Sequence, residues 1–388
     1  MMRKLLVNTA LIVGSLVVAL ILAEGVLHFT PYATLPARYS YPAGYFVADD
    51  ELGYDIGRGV GPLMHQFAEH PYPVFSNRLG CFDHERAVPE GYVLVVGDSF
   101  AWGYTPLELK WTTLLEQQSG QFILKCGVTG YGTRQELLKA KRVVAEVGKN
   151  PRLIILLYSY NDLNDDLYFP QRTVYGDGYL VSTREGSNLL TGEVQSMTAE
   201  QIRKRYAKYV AGSWSQRVDE LLARSVLYRL WLMPRPGLRE WKKELKQALG
   251  MSKPEDVSPT TVKTMPARMQ GTYSVPLHEY LATTDRLWFN QLLEQHAASL
   301  RSFADYARSL GARLVVVDVK GTLADPRFQA LQAYLAAADG AFYLNLAEAY
   351  PQQSLWRHDL HWNIEGNREV ARVLHQYLSR HGLLAQQP

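Results

Sequence analysis

Cysteine is almost missing from this chain: Cys81 and Cys126 are the two in 388 residues. That is too few for a disulfide scaffold to stand in for a hydrophobic core. Charge of one sign is not in surplus either. Lys and Arg number 41 against 38 Asp and Glu, a net charge of +3, and this balance leaves no electrostatic footprint for nucleic acid. No internal repeat or low-complexity tract stands out. What is present is ordinary globular composition, 47% hydrophobic and 20% charged, in a chain long enough to bury a sizeable core.

One stretch departs from that composition. After Arg3 and Lys4, the run from Leu5 to Ala23 carries no charge. At about 1.5 Å per residue it spans roughly 28 Å, the thickness of a bilayer's hydrocarbon core. Basic residues before it and Glu24 after it favour a single pass with the body of the chain exported. Residues 1–26 therefore read as a transmembrane anchor, with a cleaved signal segment as the alternative. Export follows either way. In an exported protein Cys81 and Cys126 are a disulfide candidate, closing a loop of about 45 residues worth roughly 4 kcal/mol. Two unrelated buried thiols are the other reading.

Residues 27–90 form an irregular lead-in rich in Pro, Gly and Tyr, with one short strand and turn in "YPVFSNRLGCF". From residue 91 the texture alternates. Apolar runs at 92–96, 121–126, 152–158, 312–319 and 341–346 read as strands, and helical periods fall near 107–119, 133–147, 286–310, 326–338 and 364–380. Short strands separated by helices predict a three-layer α/β/α domain around a parallel five-stranded sheet. The rhythm is interrupted by a mainly helical insertion at about 170–285. It opens on a hairpin at "VYGDGYLVS", and Thr198 with Gln201 predicts a capped helix start. Further on, Leu238, Trp241, Leu245 and Leu249 make an apolar helix face opposite Lys242, Lys243 and Lys246, and 250–276 reads as a linker or long loop.

In open α/β sheets ligands bind beyond the carboxyl ends of the strands, and four stretches fall there. "GDSF" places Ser99 just past the first strand. A serine there is a turn residue unless a base and an orienting acid accompany it. "RHDLHWNIEG" supplies candidates: Asp359 and His361 lie two apart, on one side of an extended segment, and Asn363 is placed to cap the next helix. Two solvated polar residues before a capped helix are the plainer reading. His358 with His361 as a metal pair lacks further ligands. "GVTGYGTRQ" and "YSYNDLNDD" offer Gly130 and Asn161 as uncharged donors for an oxyanion. Trp102, Tyr131 and Trp362 lie in or beside these stretches as candidate substrate contacts that could stack on sugar rings if the ligand is a glycan, with core packing the plainer role for at least one of them.

Together the four blocks resemble those of the SGNH (GDSL-type) hydrolase superfamily: "GDSF" its nucleophile block, "GVTGYGT" the glycine block, "YNDL" the asparagine block and "DLHWN" the last block. The resemblance implies a flavodoxin-like sandwich with Ser99, Asp359 and His361 as catalytic triad. It further implies Ser99, Gly130 and Asn161 as oxyanion hole, and no metal or organic cofactor. Many family esterases have D-x-x-H at this block, and the D-x-H-W form is similar to that of SGNH-like proteins that acetylate exopolysaccharides. The expectation is thus a membrane-anchored extracytoplasmic enzyme, periplasmic in a two-membrane cell, acting on acylated carbohydrate beside other envelope polysaccharide-modification proteins. A sugar hydroxyl in place of water would make it an O-acetyltransferase. A non-catalytic glycan-binding subunit and a membrane lipase are the alternatives from other classes.

Overall fold

The computed structural model describes residues 2–34, 41–65, 71–159, 161–167, 169, 172–176, 178–188, 193–210, 212–232, 286–321, 323, 328–337, 340–347, 354–356 and 361–384. The basic helix expected at 238–249 and the linker at 250–276 lie outside these residues. The chain divides into two compact units: Met1–Tyr39 with Gly212–Thr264, and Ser40–Ala211 with Met265–Pro388.

The larger unit is built on the five apolar runs. β1 (Val93–Gly97), β2 (Ile123–Lys125), β3 (Leu153–Tyr158), β4 (Arg313–Asp318) and β5 (Ala341–Asn345) form one sheet in the order β5-β4-β3-β1-β2. Every neighbouring pair is parallel. Alternation along each strand divides the core into two layers. Leu94, Val96, Ile154, Leu156, Leu314 and Val316 face one helical layer. Val93, Val95, Leu153, Ile155, Val315 and Val317 face the other. A strand covered on both faces carries no polar alternation, which is why these runs read as continuous apolar segments.

Among the described residues, five longer helices cover the sheet. α1 (Trp111–Ser119) stops at left-handed Gly120, and α2 (Thr133–Val147) stops at left-handed Gly148. α3 (Arg286–Ser309) and α4 (Gln329–Ala337) complete the first layer with α2, and α5 (Ile364–Arg380) joins α1 in the second. The predicted stripe of α3 buries Leu300, Phe303 and Ala307 against the sheet. Asn363 caps α5 as its sequence predicts, accepting from Gly366 N–H at 2.9 Å. Fold class and the position of every sheet strand match the sequence reading.

The lead-in is more regular than its composition predicts. Phe46–Asp49 pairs with Gly53–Ile56, and Leu63–His65 with Tyr72–Val74, as two antiparallel ribbons. Strands of three or four residues are too short to show a period. Their aromatics form a third cluster in which Tyr45, Phe46, Tyr54 and Tyr72 pack with Trp102 and Tyr131. A buried ion pair, Lys139 Nζ to Asp55 Oδ2 at 2.7 Å, ties this segment to α2. Cys81 and Cys126 are disulfide-bonded, joining it also to the residue after β2.

The described part of the insertion opens on two antiparallel ribbons, Arg172–Tyr175 with Tyr179–Ser182 and Arg184–Asn188 with Glu193–Ser196. Helix Ala199–Tyr206 follows, its Thr198–Gln201 capping box formed as predicted. In the smaller unit, Val7–Leu27 is long and apolar enough to cross a membrane and is nowhere buried. Glu24 near its end accepts from Val226 N–H at 2.7 Å and Leu227 N–H at 3.0 Å, capping helix Val226–Leu232.

Candidate active site

The elbow that carries Ser99 is a sharp strand-to-helix turn. Gly97 adopts φ 146°, and a Cβ there would stand 2.7 Å from Leu157 Cβ and 2.8 Å from Ala101 Cβ. Only glycine fits. Asp98 then caps the short helix Ser99–Trp102, its Oδ1 accepting from Phe100 N–H at 2.9 Å. Ser99 is left half-buried at the carboxyl edge of the sheet, where the next element of the site arrives from far along the chain.

His361 Nε2 lies 2.8 Å from Ser99 Oγ. The imidazole is gripped between two rings: Phe100, with centroids 4.7 Å apart, and Tyr104, at 4.2 Å. Its backbone is held too. His361 carbonyl accepts from Trp356 N–H at 2.8 Å beside the Leu355–Trp362 bridge, and α5 is pinned to α1 by Asn367 Oδ1 accepting from Trp111 N–H at 2.9 Å. An imidazole so restrained keeps its nitrogen on the hydroxyl rather than sampling rotamers. Asp359 and His358 lie outside the described residues.

The glycine loop after β2 is fastened by three hydrogen bonds. Val128 N–H donates to Gly97 carbonyl at 2.9 Å, Tyr54 hydroxyl to Thr129 carbonyl at 2.8 Å, and Tyr131 hydroxyl to Tyr54 carbonyl at 2.6 Å. Gly130 turns there with φ 73°. A Cβ on it would meet the guanidinium carbon of Arg172 at 2.8 Å, so an insertion side chain closes over this loop. Asn161 is buried just past β3. Its amide donates to Asp165 Oδ2 at 2.7 Å and also bonds Asp98.

Behind Ser99 the interior is acidic. Asp98, Glu136 and Asp162 are at most 0% exposed. Burial first, and then the neighbouring carboxylates, pushes the Glu136 and Asp162 carboxyls well above the ordinary range. Burial also raises Asp98, against the lowering effect of Phe100 N–H, His361, Asn161 and Ser99. Ser99 hydroxyl is also 3.3 Å from Asp98 Oδ2, longer than its contact with His361. Among the described residues no group of three His, Cys, Asp or Glu side chains is arranged to hold a metal ion.

Of the residues expected at the site, Ser99 and His361 are brought into contact, and Gly130 and Asn161 lie at the ends of the neighbouring strands. The expected sugar-stacking aromatics are not free to stack. Trp102, Tyr131 and Trp362 are 1%, 1% and 2% exposed. Trp102 donates Nε1–H to Tyr45 hydroxyl at 3.3 Å, and Trp362 packs edge-on to Phe100. Their faces are covered by the lead-in cluster and by α5, which residue type alone does not reveal. Asp98, Tyr104 and Glu136 escaped the sequence reading. Only the "GD" before Ser99 carried any signal for them.

No family model and no curated protein matches the chain. Solved structures to which it is similar include a lipolytic protein of the G-D-S-L family from Desulfitobacterium hafniense, at 12% identity over 74% of this chain and 99% of that one, TM-score 0.35. Others are an acetyl xylan esterase from Butyrivibrio proteoclasticus (11% identity, 78% and 67% covered, TM-score 0.36) and a family 3 carbohydrate esterase from Clostridium thermocellum (12%, 76% and 100%, 0.33). The parallel five-stranded sheet between two helical layers is the fold that the SGNH resemblance implies.

Proposed function

We propose that this protein is a serine esterase of the SGNH type, anchored in a membrane by residues 5–23 and acting outside the cytoplasm on O-acyl, chiefly O-acetyl, esters of an envelope or exported carbohydrate. The observation that carries the reading is the 2.8 Å contact between His361 Nε2 and Ser99 Oγ. It is the geometry needed for a base to take the hydroxyl proton during attack.

The steps follow from that contact. His361 Nε2 accepts the proton as Ser99 Oγ bonds to the ester carbonyl carbon. The resulting oxyanion is held by the N–H groups of Ser99 and Gly130, and by Asn161 once its amide releases Asp165 or Asp98. Collapse breaks the bond to the alcohol, which leaves with the proton from His361. Water, deprotonated in turn by His361, releases the acid and restores Ser99. Asp359 is the acid that the "DLHWN" block implies for orienting the imidazole. A sugar hydroxyl in place of water would transfer the acyl group, and the same residues would serve.

The test uses the full chain in detergent with p-nitrophenyl acetate, followed by intact-protein mass spectrometry. Nitrophenol release and an acetyl adduct on Ser99, both lost in Ser99→Ala, are expected. Adding sugar oligomers then separates hydrolysis from transfer. Folded protein that gives neither product nor adduct would favour a glycan-binding subunit.

A further inference from the structure

Two cations stand near the carboxyl edge of the sheet without a part in the proposed chemistry. Lys320 is the second residue past β4, and its half-buried ammonium lies 5.7 Å from the ring centroid of Phe100, the neighbour of Ser99. Among the described residues that ammonium has no hydrogen bond or ion pair. Asp318, the nearest acid in sequence, is turned to other tasks: it accepts from Lys320 N–H at 3.3 Å, Leu323 N–H at 2.6 Å and Tyr343 hydroxyl at 3.0 Å. Burial holds the ammonium below the ordinary lysine range. Partial desolvation of a cation is unfavourable unless something offsets it, and one phenyl ring offsets little. Arg172 is the second cation, its guanidinium set against Gly130.

The strand order β5-β4-β3-β1-β2 puts these cations on opposite sides of the nucleophile. Gly130 follows β2, on one side of β1. Lys320 follows β4, two strands away on the other side. A ligand lying along the carboxyl edge would meet a positive group before and after the scissile ester.

We propose that Lys320 and Arg172 select an anionic substrate, an acylated glycan whose carboxylate or phosphate groups pair with them on either side of Ser99. This rests on the esterase reading and names its substrate class. An anion supplies what the ammonium lacks, a charge-assisted partner at the one edge of the sheet where substrate arrives.

The experiment compares three probes in the full-length protein: mono-O-acetylated methyl glycosides of glucose, of glucuronic acid and of glucose phosphate. Acetate release is followed for each, alongside acylation of Ser99 by p-nitrophenyl acetate. Wild type is expected to favour one or both anionic probes over the glucoside by about tenfold or more in kcat/KM. Which anion is favoured distinguishes a uronic acid from a phosphorylated glycan. In Lys320→Met the preference should fall towards unity, and in Lys320→Arg most of it should remain, which guards against a folding defect. Equal turnover of all three probes, or an undiminished preference in Lys320→Met, overturns the inference and leaves the esterase reading intact. If no ester acylates Ser99, the esterase reading fails and the inference falls with it.

Discussion

Tyr104 lies across the imidazole of His361, with ring centroids 4.2 Å apart and planes 34° from parallel. Its hydroxyl is bonded to Tyr41 and, at 3.2 Å, to Thr129 beside the glycine loop. One side chain thus packs on the imidazole and braces the glycine loop. Tyr104→Leu should lower kcat/KM for p-nitrophenyl acetate about tenfold to a hundredfold, as expected when a base drifts from its nucleophile. Tyr104→Phe, which keeps the ring, should retain most activity. Equal losses in the two variants would mean that the hydroxyl network, rather than the stacked ring, places His361.

Ser99 and His361 act as a unit if the proposed mechanism holds. Ser99→Ala and His361→Ala should each reduce kcat on the order of 10⁴-fold or more, and the double variant should be no worse than either single one. Rate losses that multiply would show that the two residues act in separate steps.

Glu136 makes stability depend on pH in an unusual direction. Burial keeps its carboxyl protonated in the folded protein well above the pH at which an unfolded glutamate ionises. Above that unfolded pKa the native state therefore binds more protons than the unfolded chain, so this residue costs stability as pH rises towards its folded pKa. Glu136→Gln removes the cost. Its Tm should match wild type near pH 4 and exceed it by several degrees near pH 8. A constant difference across that range would show that the carboxyl is ionised in the native state.

The ion pair between Lys139 and Asp55 is buried on both sides. Lys139→Met leaves the Asp55 carboxylate only its longer contact with Arg142, at 3.6 Å, and should destabilise the protein by up to about 3–5 kcal/mol. Adding Asp55→Leu should recover much of that loss. Urea unfolding, followed by tryptophan fluorescence, would read both.

Opening the Cys81–Cys126 bridge releases a long loop of the unfolded chain, worth roughly 4 kcal/mol in the chain-entropy model. Cys81→Ser with Cys126→Ser should lower Tm by several degrees. Activity measured well below the new Tm should persist, because the glycine loop keeps its hydrogen bonds to Gly97 and Tyr54 and its packing in the lead-in cluster.

The sheet was legible in the sequence because each of its strands is a local event, an apolar run bounded by turns. The order of the four blocks carried the likeness to one superfamily. From them alone Ser99 and His361 could be named as partners. The Thr198 and Asn363 caps were legible for the same local reason, since a cap acts within three residues.

What only the tertiary structure decided is exposure and proximity. Trp102 and Tyr131 look like sugar platforms until the aromatics of residues 45–82 fold over them. Glu136 sits in an amphipathic helix where a glutamate usually meets water, yet here it is fully buried, with Asp98 and the acids Asp165 and Asp166 from the segment after β3 acting on it. Lys320 and Arg172 belong to segments far apart in the chain, and the strand order alone puts the nucleophile between them. A residue's chemistry is written in its type. Its neighbours, and hence its charge state and its access to substrate, follow from long-range packing, which no local pattern encodes.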